Sequence, residues 1–203
     1  MQTLEQLIER VQQVQHGFVD IQTAADEIVQ SNSTGESLVL AKQLFTSEVH
    51  QARILATFIF GHLAADNQEI FTFLRETVSS DPDWRVQEIL AQAFDRYCKT
   101  VGYEQALPII TLWLGDPNPN VRRAVTEGLR IWTTRPYFRE NPKIAVHLLS
   151  RLKDDSSDYV RKSVGNALRD ISRKHAAVVR AELQHWDTAD KMWLRPINSL
   201  LNF

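Results

Sequence analysis

Apolar residues recur at intervals of three and four along nearly the whole chain, and strand-like alternation of apolar and polar residues is absent. This spacing predicts helices, because residues three and four positions apart lie on the same face of a helix. Seven glycines and seven prolines are few for 203 residues, which also favours helical segments over turns. We therefore expect an all-α protein.

The apolar positions also repeat over a longer period. Counting from Val86, core-type residues stand at offsets 0, 3, 4, 7, 8 and 11, and the same offsets are filled when counting from Ala52, Val121 and Val160. These four origins are 34, 35 and 39 residues apart. A period of this length that contains only helices is typical of a helix-pair solenoid. The predicted fold is an all-α, HEAT-like or armadillo-like helical-repeat solenoid, right-handed, with a concave ligand face.

The stretches between the copies complete the predicted architecture. Partner helices are expected within residues 67–80, 103–116 and 141–154. Asp81, Asp116 and Asp155 stand five residues before three of the origins, where a carboxylate can cap the next helix. We expect a single domain over residues 1–203, divided into N-terminal capping helices (1 to about 45), core repeats (46–175) and a C-terminal cap (176–203).

The helix face opposite the core is the expected ligand surface. At about 100° per residue this face carries offsets −2, 2, 6 and 9. Trp84 and Glu88 then lie one turn apart on it, so an indole and a carboxylate are both exposed. In the two following copies, offsets 2 and 9 hold basic residues, namely Arg123, Arg130, Lys162 and Arg169. In the first copy this face holds Ile54, Phe58 and Gly61.

Charge is distributed unevenly along the chain. The net charge is −2, but residues 1–115 hold 7 basic against 15 acidic residues, whereas residues 116–174 hold 13 against 7. A basic segment of this kind favours contact with an anionic partner such as a phosphate backbone. Because Glu127 interrupts the basic row, a solvated basic face without a ligand stays an alternative. Arg122 and Arg161, at offset 1, are expected to bridge neighbouring repeats through aspartates 116, 155 or 158.

Other classes of protein lack support in the sequence. Cys98 is the one cysteine, which excludes a disulfide framework and suits a reducing cytoplasm. No window approaches the roughly 20 apolar residues of a membrane span. The histidines form no i, i+4 pair, and no glycine-rich phosphate loop or G-x-S-x-G motif is present. We expect a cytoplasmic monomer with no metal or cofactor, in which a carboxylate and an indole carry any chemistry.

Three segments, "DWRVQE", "NVRRAV" and "YVRKSVGNALRD", resemble the DNA alkylation repair family of HEAT-repeat proteins, the AlkD-like DNA glycosylases. The resemblance covers most of the chain and is strongest over residues 80–175. It matches Trp84, Arg123 and Lys162 to the family's first tryptophan, its arginine and its lysine. Glu88 stands where the family has aspartate, and Asn166 stands where its second tryptophan is expected.

The resemblance implies a monofunctional N-glycosylase that excises alkylated, positively charged purines from duplex DNA lying along the concave face. It makes Glu88 and Trp84 the catalytic residues. The implied DNA-binding residues are Arg123, Lys162, Arg130, Arg169 and Asn166. Since the two departures alter the site, a catalytically weakened or inactive homologue that binds distorted or branched DNA stays an alternative. A protein-interaction scaffold is a further alternative, because helix-pair solenoids often bind peptides.

Overall fold

The protein is all-helical throughout the part of the chain that its computed structural model describes, residues 2–186, which contains no strand. This confirms the predicted fold class. The chain divides into two compact units, Met1–Val101 and Gly102–Phe203, here called the N-terminal and C-terminal units. The single-domain organisation stays a prediction. Most of the expected C-terminal cap, residues 187–203, lies outside the described residues.

The N-terminal unit begins with the three helices expected to cap the repeats. Its elements are α1 (Leu4–Gln12), α2 (Val19–Ser31), α3 (Thr34–Phe45), α4 (His50–Leu63), α5 (Gln68–Glu76), a 3-10 turn (Val78–Ser80) and α6 (Trp84–Val101). Capping boxes start two of them. Thr3 accepts from the Gln6 N–H before α1, and Ser33 accepts from the Glu36 N–H before α3, so that free N–H groups of the first turn are satisfied.

The C-terminal unit contains five helices within its described residues. They are α7 (Leu107–Leu114), α8 (Pro119–Trp132), α9 (Pro136–Glu140), α10 (Pro142–Ser150) and α11 (Asp158–Leu183). The short helix α9 was not predicted, and it occupies the extra residues that lengthen the last repeat period to 39. The backbone of α11 leaves helical geometry at His175, with φ −130° and ψ 42°.

The repeat positions form the core, as the spacing predicted. The four origins, Ala52, Val86, Val121 and Val160, are 0% exposed and lie on α4, α6, α8 and α11. Within the N-terminal unit α4 packs against α6, and within the C-terminal unit α8 packs against α11. The partner helices α5, α7 and α10 contact α4, α8 and α11, respectively. The prediction of repeated helix pairs is therefore confirmed.

The prediction of an exposed ligand face is wrong for the first copy, on α4. Ile54 and Phe58 on α4 are 1% and 4% exposed, and Gly61 is buried as well. The reason is that α1, α2 and α3 pack against α4 in addition to α5 and α6. A Cβ atom at Gly61 would lie 2.8 Å from Ala93 Cα, so glycine permits close approach of α4 and α6. These three positions of the first copy therefore belong to the core.

The loop aspartates build the same turn before three of the repeat helices. Each carboxylate accepts the backbone N–H two residues later at 2.8 Å, in the pairs Asp81 with Asp83, Asp116 with Asn118, and Asp155 with Ser157. This is the Asx turn, which replaces a backbone hydrogen bond at a chain reversal. The predicted capping role is therefore wrong, because these aspartates shape the loop before each helix. The first turns of α6 and α8 are capped instead by Asp83 and Asn118, which accept the N–H of Arg85 and Asn120.

A side chain at offset 1 ties each repeat helix to its own preceding loop. It donates to the carbonyl six residues earlier in the pairs Arg53 with Ser47, Gln87 with Asp81, Arg122 with Asp116, and Arg161 with Asp155. Arg122 also forms a bidentate ion pair with Asp155, with both N–O distances 2.7 Å, and Arg161 pairs with Asp158. The predicted bridge between repeats is confirmed for Arg122, which reaches the loop before α11. It is wrong for Arg161, whose partners Asp155 and Asp158 belong to its own helix and the loop before it.

Candidate nucleic-acid interface

The start of α6 presents an exposed indole close to a carboxylate. Trp84 is the first residue of the helix and is 64% exposed. Glu88 follows four residues later and is partly exposed. Residues four apart on a helix lie on one face, so both side chains belong to the same surface of the N-terminal unit. The exposure of Trp84 agrees with its predicted position away from the core.

The neighbours of Trp84 are held by an ion pair at the helix N-terminus. Asp83 accepts the Arg85 N–H at 2.9 Å, and its carboxylate binds the Arg85 guanidinium at 2.9 and 2.7 Å. These side-chain hydrogen bonds, opposed by partial burial, lower the pKa of Asp83 to about 2. The guanidinium carbon lies 5.9 Å from the centre of the Trp84 ring. Trp84 thus lies in the sequence between Asp83 and Arg85, whose side chains bind each other.

In the C-terminal unit, α11 carries an exposed aromatic residue that the sequence interpretation missed. Tyr159 is 74% exposed, and the Lys162 ammonium lies 5.9 Å from the centre of its ring. Asn166 stands seven residues after Tyr159, two turns along the same face, and is partly exposed. Among residues 2–186, Lys162 forms no ion pair, so its charge is available to a ligand. The seven-residue spacing to Asn166 was the signal that could have identified Tyr159.

Hydroxyl groups join α8 to α11 behind this surface. The Thr126 hydroxyl donates to Ser163 Oγ at 2.7 Å, and the Ser163 hydroxyl donates to the Glu127 carboxylate at 2.6 Å. Arg123 lies on α8, three residues before Thr126, and is partly exposed. Glu127, which interrupts the basic row in the sequence, therefore has a structural role between the two helices.

Two of the predicted phosphate contacts already interact with carboxylates. Arg130 binds Glu127 at 2.8 Å and Asp170 at 3.0 Å. Arg169 and Arg173 also approach Asp170, at 3.4 and 3.5 Å. Sequence spacing did not identify Asp170 as the partner of Arg130, because the two residues lie on different helices. A phosphate at Arg130 or Arg169 would have to compete with these carboxylates.

The predicted site residues thus fall into two sets. Trp84 and Glu88 share one helix face in the N-terminal unit. The C-terminal unit holds Arg123 and Arg130 on α8, and Lys162, Asn166 and Arg169 on α11. A concave groove that joins the two sets stays a prediction.

Two further features bear on the class of site. Within residues 2–186, no group of three or more His, Cys, Asp or Glu side chains is placed to hold a metal ion. In the same described part of the chain, none of the helices has the length and apolar character needed to cross a bilayer.

Known proteins resemble this chain over most of its length. A family model described as DNA alkylation repair enzyme matches residues 18–196. The crystal structure of AlkD2 from Streptococcus mutans is 45% identical with a TM-score of 0.90, and the match covers 98% of this chain and 97% of that one. The structure of smu.31 from Streptococcus mutans UA159 is 44% identical with a TM-score of 0.87, and covers 98% of both chains.

Two other similarities are more limited. The uncharacterized protein YhaZ of Bacillus subtilis (strain 168) is 34% identical over 87 residues, 41% of this chain and 24% of YhaZ. The match therefore spans about a quarter of that curated relative. A chain from a structure of microtubule plus-end tracking by XMAP215, CLIP-170 and EB1 has a TM-score of 0.54 at 17% identity, with 98% of this chain and 80% of that chain covered. That likeness shows a shared fold alone.

Proposed function

Because this chain belongs to the DNA alkylation repair enzyme family, we propose that it binds duplex DNA and hydrolyses the N-glycosidic bond of alkylated, positively charged purines. The observation that carries the proposal is the exposed Trp84 on the same face of α6 as Glu88. The electron-rich face of an indole attracts a cation, and a carboxylate stabilises a developing positive charge. Both charges occur in this reaction, on the base and on the sugar.

The chemistry needs few protein groups. Alkylation at N3 or N7 makes the purine cationic, so it leaves with the bonding electron pair as a neutral base and needs no general acid. The sugar becomes oxocarbenium-like, and water adds to its anomeric carbon and loses a proton. Glu88 would stabilise the sugar cation and orient the water, and Trp84 would contact the lesion. The proposed reaction uses no metal or cofactor.

The C-terminal unit would hold the DNA backbone. Lys162, Arg123, Arg130 and Arg169 are the proposed phosphate contacts, and Arg130 and Arg169 would exchange carboxylate partners for phosphate. Tyr159 and Asn166 on α11 would face the nucleic acid beside Lys162. We further propose that the protein acts as a monomer in the cytoplasm.

A second candidate function is recognition of distorted or branched duplex DNA without base release. Asn166 favours it, because an amide replaces the aromatic wall implied by the family resemblance. Glu88 favours it too, since it carries the carboxylate about one methylene further from the backbone than aspartate would. A displacement of roughly 1 Å can reduce a rate about a hundredfold.

Base release from methylated duplex DNA tests the two functions. We expect the protein to release methylpurine, identified by mass, faster than DNA incubated alone and faster than the Glu88→Gln variant. Duplex binding is measured in parallel at several salt concentrations. Binding without release would support the second function. Absence of both release and binding would contradict both proposals and favour the protein-interaction scaffold.

A further inference from the structure

A cavity of about 300 Å³ lies in the C-terminal unit where α11 breaks. It is formed by the end of α8 and the middle of α11. Six of its lining residues are Arg130, Thr133, Asp170, Arg173, Lys174 and His175. Its volume is at the lower limit of ordinary ligand sites, which suits a small group.

Positive charge exceeds negative charge around this cavity. Arg130, Arg173 and Lys174 line it with one carboxylate, Asp170, and Glu127 binds Arg130 from outside the lining. The Asp170 carboxylate already has the guanidinium groups of Arg130, Arg169 and Arg173 at 3.0, 3.4 and 3.5 Å. The C-terminus of α8 adds a partial negative charge of only about half a unit. The cavity therefore favours an anion.

The backbone of the cavity is irregular at His175. This residue lines the cavity, and its backbone departs from helical geometry within α11. Local departures from regular backbone geometry concentrate at binding sites. A ligand that fills the cavity would therefore lie beside this break in the helix.

We propose that this cavity binds a phosphate group. Arginine and lysine side chains only donate hydrogen bonds, and phosphate oxygens accept them, so the lining matches the ligand. Arg173 and Lys174 bind the phosphate oxygens, and Arg130 contributes its charge. The phosphate comes either from the backbone of DNA, in which case the inference rests on the proposed DNA binding, or from free phosphate.

The test removes the two exposed charges of the cavity. The double variant Arg173→Gln with Lys174→Gln is compared with a charge-matched control, Lys143→Gln with Arg151→Gln, whose residues are exposed and lie outside the cavity. Circular dichroism and thermal unfolding verify that both variants fold. The full chain is then titrated with inorganic phosphate at constant ionic strength, followed by ³¹P NMR, and with duplex DNA at several salt concentrations.

Either source of phosphate gives a distinct result. For free phosphate, we expect saturable binding that weakens about tenfold in the cavity variant and not in the control. For DNA, we expect the slope of log K against log salt to fall by about 1 in the cavity variant relative to the control. Equal behaviour of the two variants in both titrations, or no binding of either probe by wild type, would overturn the proposal. Neither titration depends on base release, so a failure of the glycosylase proposal is recognised separately.

Discussion

Glu88 carries the charge on which the proposed chemistry depends. Glu88→Gln keeps the shape of the side chain and removes its negative charge, so the sugar cation loses electrostatic stabilisation. We expect single-turnover release of methylpurine to fall by about 10²- to 10³-fold, the usual effect of losing one preorganised electrostatic group. Duplex affinity should change little, because the proposed phosphate contacts lie on α8 and α11.

Restoring the family pattern provides the opposite change. Glu88→Asp combined with Asn166→Trp rebuilds the carboxylate position and the second aromatic wall implied by the resemblance. A cation and a well-placed aromatic ring interact by roughly 0.5–2 kcal/mol, which corresponds to about a two- to thirtyfold increase in rate. If neither wild type nor this double variant releases methylpurine, the glycosylase proposal is wrong for this protein.

Helix α8 depends on the ion pair between Arg122 and Asp155. Both side chains are nearly buried, 11% and 5% exposed, so removing one leaves the other charge without compensation. We expect Arg122→Met to lower the free energy of unfolding by about 3–5 kcal/mol in urea denaturation. Arg122→Gln should lower the free energy of unfolding by about 1 kcal/mol less than Arg122→Met does. The reason is that the amide can still donate to the loop carbonyl, as Gln87 does.

The same pair predicts how stability changes in acid. Burial acts to raise the pKa of Asp155, but the Arg122 side chain and the Ser157 N–H outweigh it and hold that pKa below its usual value. A carboxylate with a lowered pKa in the folded state stabilises the fold above about pH 4, and this contribution is lost as the pH falls further. The difference between wild type and Arg122→Met should therefore shrink below pH 4. A constant difference would contradict the assignment, and the exposed Arg151→Gln serves as the neutral control.

The uneven charge of the whole molecule leads to a salt-dependence prediction. If basic residues of the C-terminal unit replace counterions on DNA, log K should fall with log salt by about 0.9 for each phosphate neutralised. Arg123→Glu with Lys162→Glu should abolish duplex binding, measured by fluorescence anisotropy, without unfolding the chain. Lys99→Glu with Lys143→Glu changes the net charge equally at exposed positions outside the proposed contacts. Equal losses in both variants, or salt-insensitive binding, would contradict a specific phosphate surface.

The sequence alone was sufficient for the repeat helices, their period and the buried origins such as Val86 and Val121. Each of these depends on the spacing of residues within one helix, and a helix buries the same face wherever that spacing recurs. The exposure of Trp84 was predictable for the same local reason. These features need no knowledge of which elements meet in space.

Contacts between distant parts of the chain determined the features that the sequence did not predict. The expected ligand face of α4 is buried because α1–α3 pack over it. The core spacing of α4 matches that of α6, and only the apolar Ile54 and Phe58 on the opposite face indicated burial, without identifying the helices that cover them. Arg130 meets Asp170, forty residues away, and His175 breaks α11 beside a cavity that α8 helps to form. Periodicity reports which face of a helix is apolar, whereas the neighbour that covers the other face, and the charges that meet there, depend on tertiary packing.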